Sequence, residues 1–154
     1  MEAQKSPLIL NNFLLINHEY HFIQPENDEN FNIPAITDQY KLFIDFAVNQ
    51  IDKNLSQLFT KIGINNIDKP LPGYHLFIEG VCIFSFNEEE KLSDQNKSDL
   101  LYFSGLNICI NSLRNVLATI TSNGPFGKYT LPSIDVNKLL QDKQEEINKK
   151  KESK

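Results

Sequence analysis

The side chains best able to do chemistry are three histidines, His18, His21 and His75, and two cysteines, Cys82 and Cys109. Imidazoles and thiolates bind zinc, and an imidazole beside a carboxylate moves protons. Their spacing points to neither. His18 and His21 are three apart in a stretch of alternating polarity, and on a strand that sends them to opposite faces, where they cannot share a metal. Each cysteine sits inside an apolar run, as small buried hydrophobes do. The sequence has no glycine-rich phosphate loop, no paired zinc cysteines and no nucleophile elbow. The expectation is a protein that is not an enzyme and holds no metal and no cofactor.

Composition narrows the remaining classes. A formal net charge of -5 over 154 residues disfavours a general nucleic-acid partner, because neutralising phosphates takes a surplus of Lys and Arg. Two fifths of the residues are apolar and eleven are Phe, enough for one core. One domain is expected over residues 1–140, with a charged tail over 141–154 that frays. No apolar run approaches the ~20 residues of a membrane span, and the N-terminal residues lead into no signal-peptide pattern. A soluble cytoplasmic protein, not embedded in a membrane, is expected.

Elements follow from periodicity. Leu8, Leu10, Leu14, Ile16, Tyr20 and Phe22 alternate with polar residues, so a strand is expected over 8–23, with Phe13 and Leu15 adding apolar side chains to its other face. A second strand is expected over 40–51, where Phe43 interrupts the polar side, and a third over 73–87, where Phe77, Val81 and Ile83 make both faces apolar. Residues 31–36 read as a short edge strand between prolines. Over 54–72, Leu55, Leu58, Phe59 and Ile62 are spaced like one face of a short helix, followed by a loop, so this stretch reads as an insertion. The run Glu88, Glu89, Glu90 and Lys91 reads as a solvated turn.

A long helix is expected over 98–122, capped by Ser98 or Asp99. Its residues Phe103, Leu106, Ile110, Leu113, Leu117 and Ile120 recur at steps of three and four. Such a stripe either packs on this chain's own sheet or forms an oligomer seam with a second helix. Asn123 and Gly124 supply a left-handed stop, and Pro125 prevents resumption. An extended linker carries Tyr129 and Leu131, and Asp135 caps a short helix over 135–146. Apolar surface exceeds what one core needs, which marks binding.

The stretch 83–140 resembles the SecB family of export chaperones. The shared residues, in order, are Ile83, Phe84, Ser85 and Phe86 closing a strand; Asn107, Ile108 and Arg114 in the long helix; Ser122, Gly124 and Phe126 at its end; then Leu131, Asp135 and Leu139. Phe22 and Pro25 match the end of the family's first strand. Departures are Asn111 where the family has Pro, Cys82 where it has Gly, the stretch 54–72, and Phe77 where a second docking acid stands.

The resemblance implies an α+β fold: a four-stranded antiparallel sheet followed by a long helix and a short C-terminal helix. It implies a homo-oligomer, with dimers pairing through first strands and helices stacking two dimers into a tetramer. The implied function is an ATP-independent holdase that keeps unfolded preproteins ready for translocation. Phe126, Tyr129, Leu131, Leu139, Leu140 and Phe77 are the implied client groove, and Glu19 the implied docking residue for a SecA-like translocase motor. The alternative is a binding module of the same fold that shields one partner, such as an antitoxin or a secretion component.

Overall fold

A computed structural model describes residues 1–26 and 32–152. Four antiparallel strands, β1 (Leu8–Ile23), β2 (Leu42–Gln50), β3 (Leu55–Ile64) and β4 (Gly73–Phe86), form one sheet in the order β1-β4-β3-β2. A helical run follows, built from α2 (Asp94–Asp99), a π-helical segment (Leu100–Gly105) and α3 (Leu106–Thr121), and then α4 (Val136–Glu152). The short α1 (Ile33–Thr37) precedes β2.

β1 shows why both parities of its sequence are apolar. Its register with β4 slips between Leu10 and Asn12 and again between Leu15 and Asn17, and each added residue reverses which parity faces inward. Leu8 and Leu10 therefore pair with Phe86 and Phe84 on the covered face, Phe13 and Leu15 with Cys82 and Gly80, and Tyr20 and Phe22 with Leu76 and Tyr74. Gly80 makes this packing possible: a Cβ there would lie 2.7 Å from the Phe13 ring and 3.1 Å from a Leu113 methyl.

The fourth strand is β3, and it replaces the helical turn expected over 54–72. Ser56, Leu58, Thr60, Ile62 and Ile64 are buried along one face, but polar Ser56 and Thr60 hide that period of two in the sequence. Pairing with both β2 and β4 overrides the local helical spacing. Conversely, residues 33–37 are helical, with the Asn32 side chain accepting from the Ala35 N–H. Phe31, at the start of the edge strand expected there, lies outside the described residues.

The long helix starts earlier than expected. Ser93, not Ser98 or Asp99, is the cap, its hydroxyl accepting from the Asn96 N–H. Of the six stripe residues, Leu106, Ile110, Leu113 and Leu117 are buried in this chain's own core. The stripe matches the sheet because one helix covering the inner faces of β3 and β4 needs that width. Phe103 remains 46% exposed and Ile120 is half-buried.

The helix end also differs in detail. The left-handed residue is Gly127 (φ 72°), not Asn123 or Gly124. Gly124 is required by close approach, since a Cβ there would lie 2.3 Å from the Tyr74 hydroxyl. α4 runs to Glu152, beyond the expected fraying point near Gln141, although it has little apolar stripe. Lys138–Asp142 and Lys150–Glu146 pairs at i,i+4 and lysines in its last turn support it against the helix dipole. Residues 153–154 lie outside the described part.

Because Leu113 closes the core against Gly80 and Phe13, Leu113→Ala is expected to lower unfolding free energy by ~2–5 kcal/mol. Asn111→Ala, on the exposed side of the same helix, is expected to change it by under ~1 kcal/mol. Urea denaturation of the two variants tests this, and equal effects would contradict a core-facing stripe.

Candidate binding clefts

Among the described residues α3 covers one face of the sheet and leaves most of the other open, and three open clefts form where the linker and α4 meet its β2 side. Their geometry begins with Arg114. Its guanidinium donates from Nε to the Leu131 carbonyl at 3.1 Å and from Nη2 to the Pro132 carbonyl at 3.0 Å. Nη1 donates to the Asn111 side-chain oxygen. Asn111 thus orients the clamp at the position where a proline would offer no side-chain acceptor. At the start of the linker the Tyr74 hydroxyl donates to the Gly127 carbonyl at 2.6 Å, and the Tyr129 N–H donates to the Thr121 hydroxyl at 2.8 Å. These bonds direct the chain along α3 and across to the β2 edge, where the Asp135 carboxylate accepts from the Lys138 N–H and opens α4.

Val136 of α4 is buried in the core, Leu139 and Leu140 pack against it, and Lys143 adds a tie to the sheet. Its ammonium pairs with Asp45 on β2 and stands 5.8 Å over the Phe46 ring, while Lys61 pairs with the other Asp45 oxygen at 3.3 Å. Burial pushes the Asp45 carboxyl up, but hydrogen bonds from Lys143, Lys61 and the Phe46 N–H outweigh it and hold the group below its ordinary value. Leu139 and Leu140 are half-buried, and Ile147 is exposed.

The first cleft, about 490 Å³, lies between α4 and the uncovered face and is lined by Phe43, Phe77, Leu139, Asp45 and Lys143. The second, about 500 Å³, lies between α4 and the helical run and is lined by Phe103, Tyr102, Leu140 and Ile147. The third, about 480 Å³, lies beside the linker and is lined by Tyr40, Tyr74, Phe126 and Tyr129. Burial, reinforced by Tyr40 and Asp38, pushes the Tyr129 hydroxyl up to about 12.

The six groove residues anticipated from the sequence are therefore divided. Phe77 and Leu139 meet in the first cleft, Leu140 lines the second, and Phe126 and Tyr129 line the third. Leu131 is buried in the core and lines none, because its backbone is drawn against α3 by Arg114. Phe43, 51% exposed, is the residue the sequence reading left out, although an aromatic on the polar side of β2 was a usable signal. Glu19 lies directly opposite Phe77 on the uncovered face, and the nearest acid of β4 is Glu79, opposite Asn17.

Among the described residues no group of three or more His, Cys, Asp or Glu side chains could hold a metal ion. Cys82 and Cys109 are buried free thiols, and the hydrogen bond to Cys82, with burial, pushes the Cys109 thiol up, away from thiolate reactivity. No helix of the described residues is long and apolar enough to cross a membrane.

No family model matches the sequence, and no curated protein matches it. Among solved structures the chain is similar to a SecB-like chaperone of Mycobacterium tuberculosis, solved in complex with a ChAD peptide from the HigA1 antitoxin. Identity is 14%, the TM-score is 0.54, and the match covers 84% of this chain and 91% of that one. A protein of unknown function from Streptococcus agalactiae is matched at 11% identity and TM-score 0.37, over 82% of this chain and 97% of that one. The fold of this chain is SecB-like, as the ordered residues of 83–140 imply.

The Lys143–Asp45 pair is the test of how α4 is held. Asp45 has a folded-state pKa below its ordinary value of 3.8, so its contribution is present above that value and is lost as pH falls through the lower folded one. Both partners are partly exposed, so the pair is expected to contribute no more than ~1 kcal/mol. Lys143→Ala and Asp45→Asn should each speed hydrogen exchange of α4 amides by at most about fivefold at pH 7 while leaving α3 unchanged. Unchanged exchange in both variants would show that Lys143 does not hold the helix.

Proposed function

We propose that this chain is an ATP-independent holdase that takes extended apolar segments of unfolded polypeptides into the clefts beside α4. The observation that carries this reading is the first cleft. Phe43 is half-exposed and Phe77 stands near it at the uncovered face, neither of them part of the core, and Leu139, which packs on the core edge, closes the cleft beside them. Exposed aromatics of this kind in an open groove mark a binding surface, and several weak apolar subsites suit many sequences rather than one. The SecB-like fold, and the peptide bound to the M. tuberculosis chaperone of that fold, support a polypeptide as the occupant.

Assembly enters the same proposal. β1 has a free edge, and Ile9, Leu10, Leu14, Leu15 and Ile16 are all exposed along it. A long apolar edge is a template for pairing, and a second copy is the occupant we assign to it. The exposed side of α3 carries Asn107, Asn111, Asn115 and Thr119, an uncharged stripe suited to packing one helix on another in a homo-oligomer. Residence in the cytoplasm belongs to the proposal as well.

For export, the supporting feature is Glu19 as a docking point for a SecA-like motor, with preproteins as clients. Its neighbour Phe77 offers an apolar contact where a second acid would strengthen docking, so holding clients is the firmer part of this reading. The antitoxin peptide in the M. tuberculosis complex favours one second reading, a module dedicated to shielding a single partner.

At a one-to-one ratio without nucleotide, the purified protein is expected to suppress aggregation of a refolding model substrate and to scatter light as more than one chain. Phe43→Asp should cut suppression several-fold, with its melting midpoint near that of the parent, because Phe43 lies outside the core. No suppression by the parent protein would sink the holdase reading. Capture of one partner and no unrelated clients would favour the dedicated module.

A further inference from the structure

His21 and His75 are far apart in sequence and directly opposite in the β1–β4 register. Both project from the uncovered face, and their ring centroids are 5.8 Å apart with the planes tilted by 49°. His18, the remaining histidine, pairs with Ile78 on the other face and takes no part.

Two imidazoles on one metal, each nitrogen ~2.1 Å from the ion, place their ring centroids about 4.5 Å apart when cis in a tetragonal site and about 5 Å apart in a tetrahedral one. The observed separation exceeds these by about an ångström, which rotations about the side-chain torsions supply. The two backbones are fixed by the ladder, so the imidazoles need no folding step to come together.

We propose that His21 and His75 form a two-point site for a late first-row transition ion, with Cu²⁺ bound more tightly than Ni²⁺ or Zn²⁺. Imidazole donors select these ions over Mg²⁺ and Ca²⁺, and Cu²⁺ leads the affinity order. No third His, Cys, Asp or Glu among the described residues completes the set, so water fills the remaining positions. The ion ties the C-terminal end of the edge strand β1 to β4. The proposal is independent of the holdase reading, because the pair lies outside the clefts beside α4.

The test uses tag-free, full-length protein and Cu²⁺ alone as the probe. Titration should show one equivalent bound, with an electron paramagnetic resonance spectrum that reports two nitrogen ligands. His21→Gln and His75→Gln should each weaken binding at least about tenfold, the loss that follows even removal of a ligand's outer partner, while His18→Gln leaves it unchanged. Ni²⁺ and Zn²⁺ should raise the melting midpoint of the parent and of His18→Gln, but not of the other two variants. Matching circular dichroism spectra show that the variants are folded. Affinity unchanged by either substitution, or lost equally with His18→Gln, overturns the site, as does the absence of uptake by the parent.

Discussion

One helix covers one face of a four-stranded sheet, and the rest of the structure depends on that constraint. A sheet and a helix reach a stable two-layer arrangement by burying a face of each against the other. Here Leu106, Ile110, Leu113 and Leu117 close over Leu58, Ile62, Ile78 and Phe84. Gly80 lets β4 approach α3 at the point where Phe13 enters from β1. With α3 committed to the inner face and α4 standing at the β2 side, apolar side chains such as Phe43 on the other face stay exposed.

The connection out of α3 decides where those side chains become clefts. Tyr74, Thr121 and Arg114 bind the linker backbone at Gly127, Tyr129, Leu131 and Pro132, which fixes its path across the molecule. α4 then arrives at the β2 edge, where Val136, Leu139 and Leu140 pack on the core and Lys143 adds a partly exposed ion pair. Its later turns carry few apolar side chains, and open volume remains on both of its sides. On the proposed holdase reading, a surface that is rigid at the sheet and yielding at the helix suits the capture of many extended chains.

Much of this was legible in the sequence, and the exceptions have physical causes. β4 and the long helix declared themselves through periods of two and near four, and the ordered residues from Ile83 to Leu139 pointed to the SecB-like fold. β3 was hidden, because Ser56 and Thr60 occupy inward positions and only pairing on both sides makes a strand of that stretch. The same spacing in α3 serves a core or a seam, and nothing in a single sequence separates the two; burial of Leu113 does. Phe77 and Leu139 lie in a common cleft, whereas the burial of Leu131 was not legible, since it goes with Arg114 reaching across seventeen residues of chain. The pairing of His21 with His75 was out of reach, because it requires the register of β1 on β4.

The central claim is that unfolded polypeptide is held at the first cleft and not along α3. A photoreactive phenylalanine analogue in place of Phe43, compared with the same group in place of Thr119 on the exposed side of α3, tests it most directly. With an unfolded apolar substrate present, crosslinking is expected from position 43 and at background level from position 119. Equal yields, or a higher yield from position 119, would contradict the account.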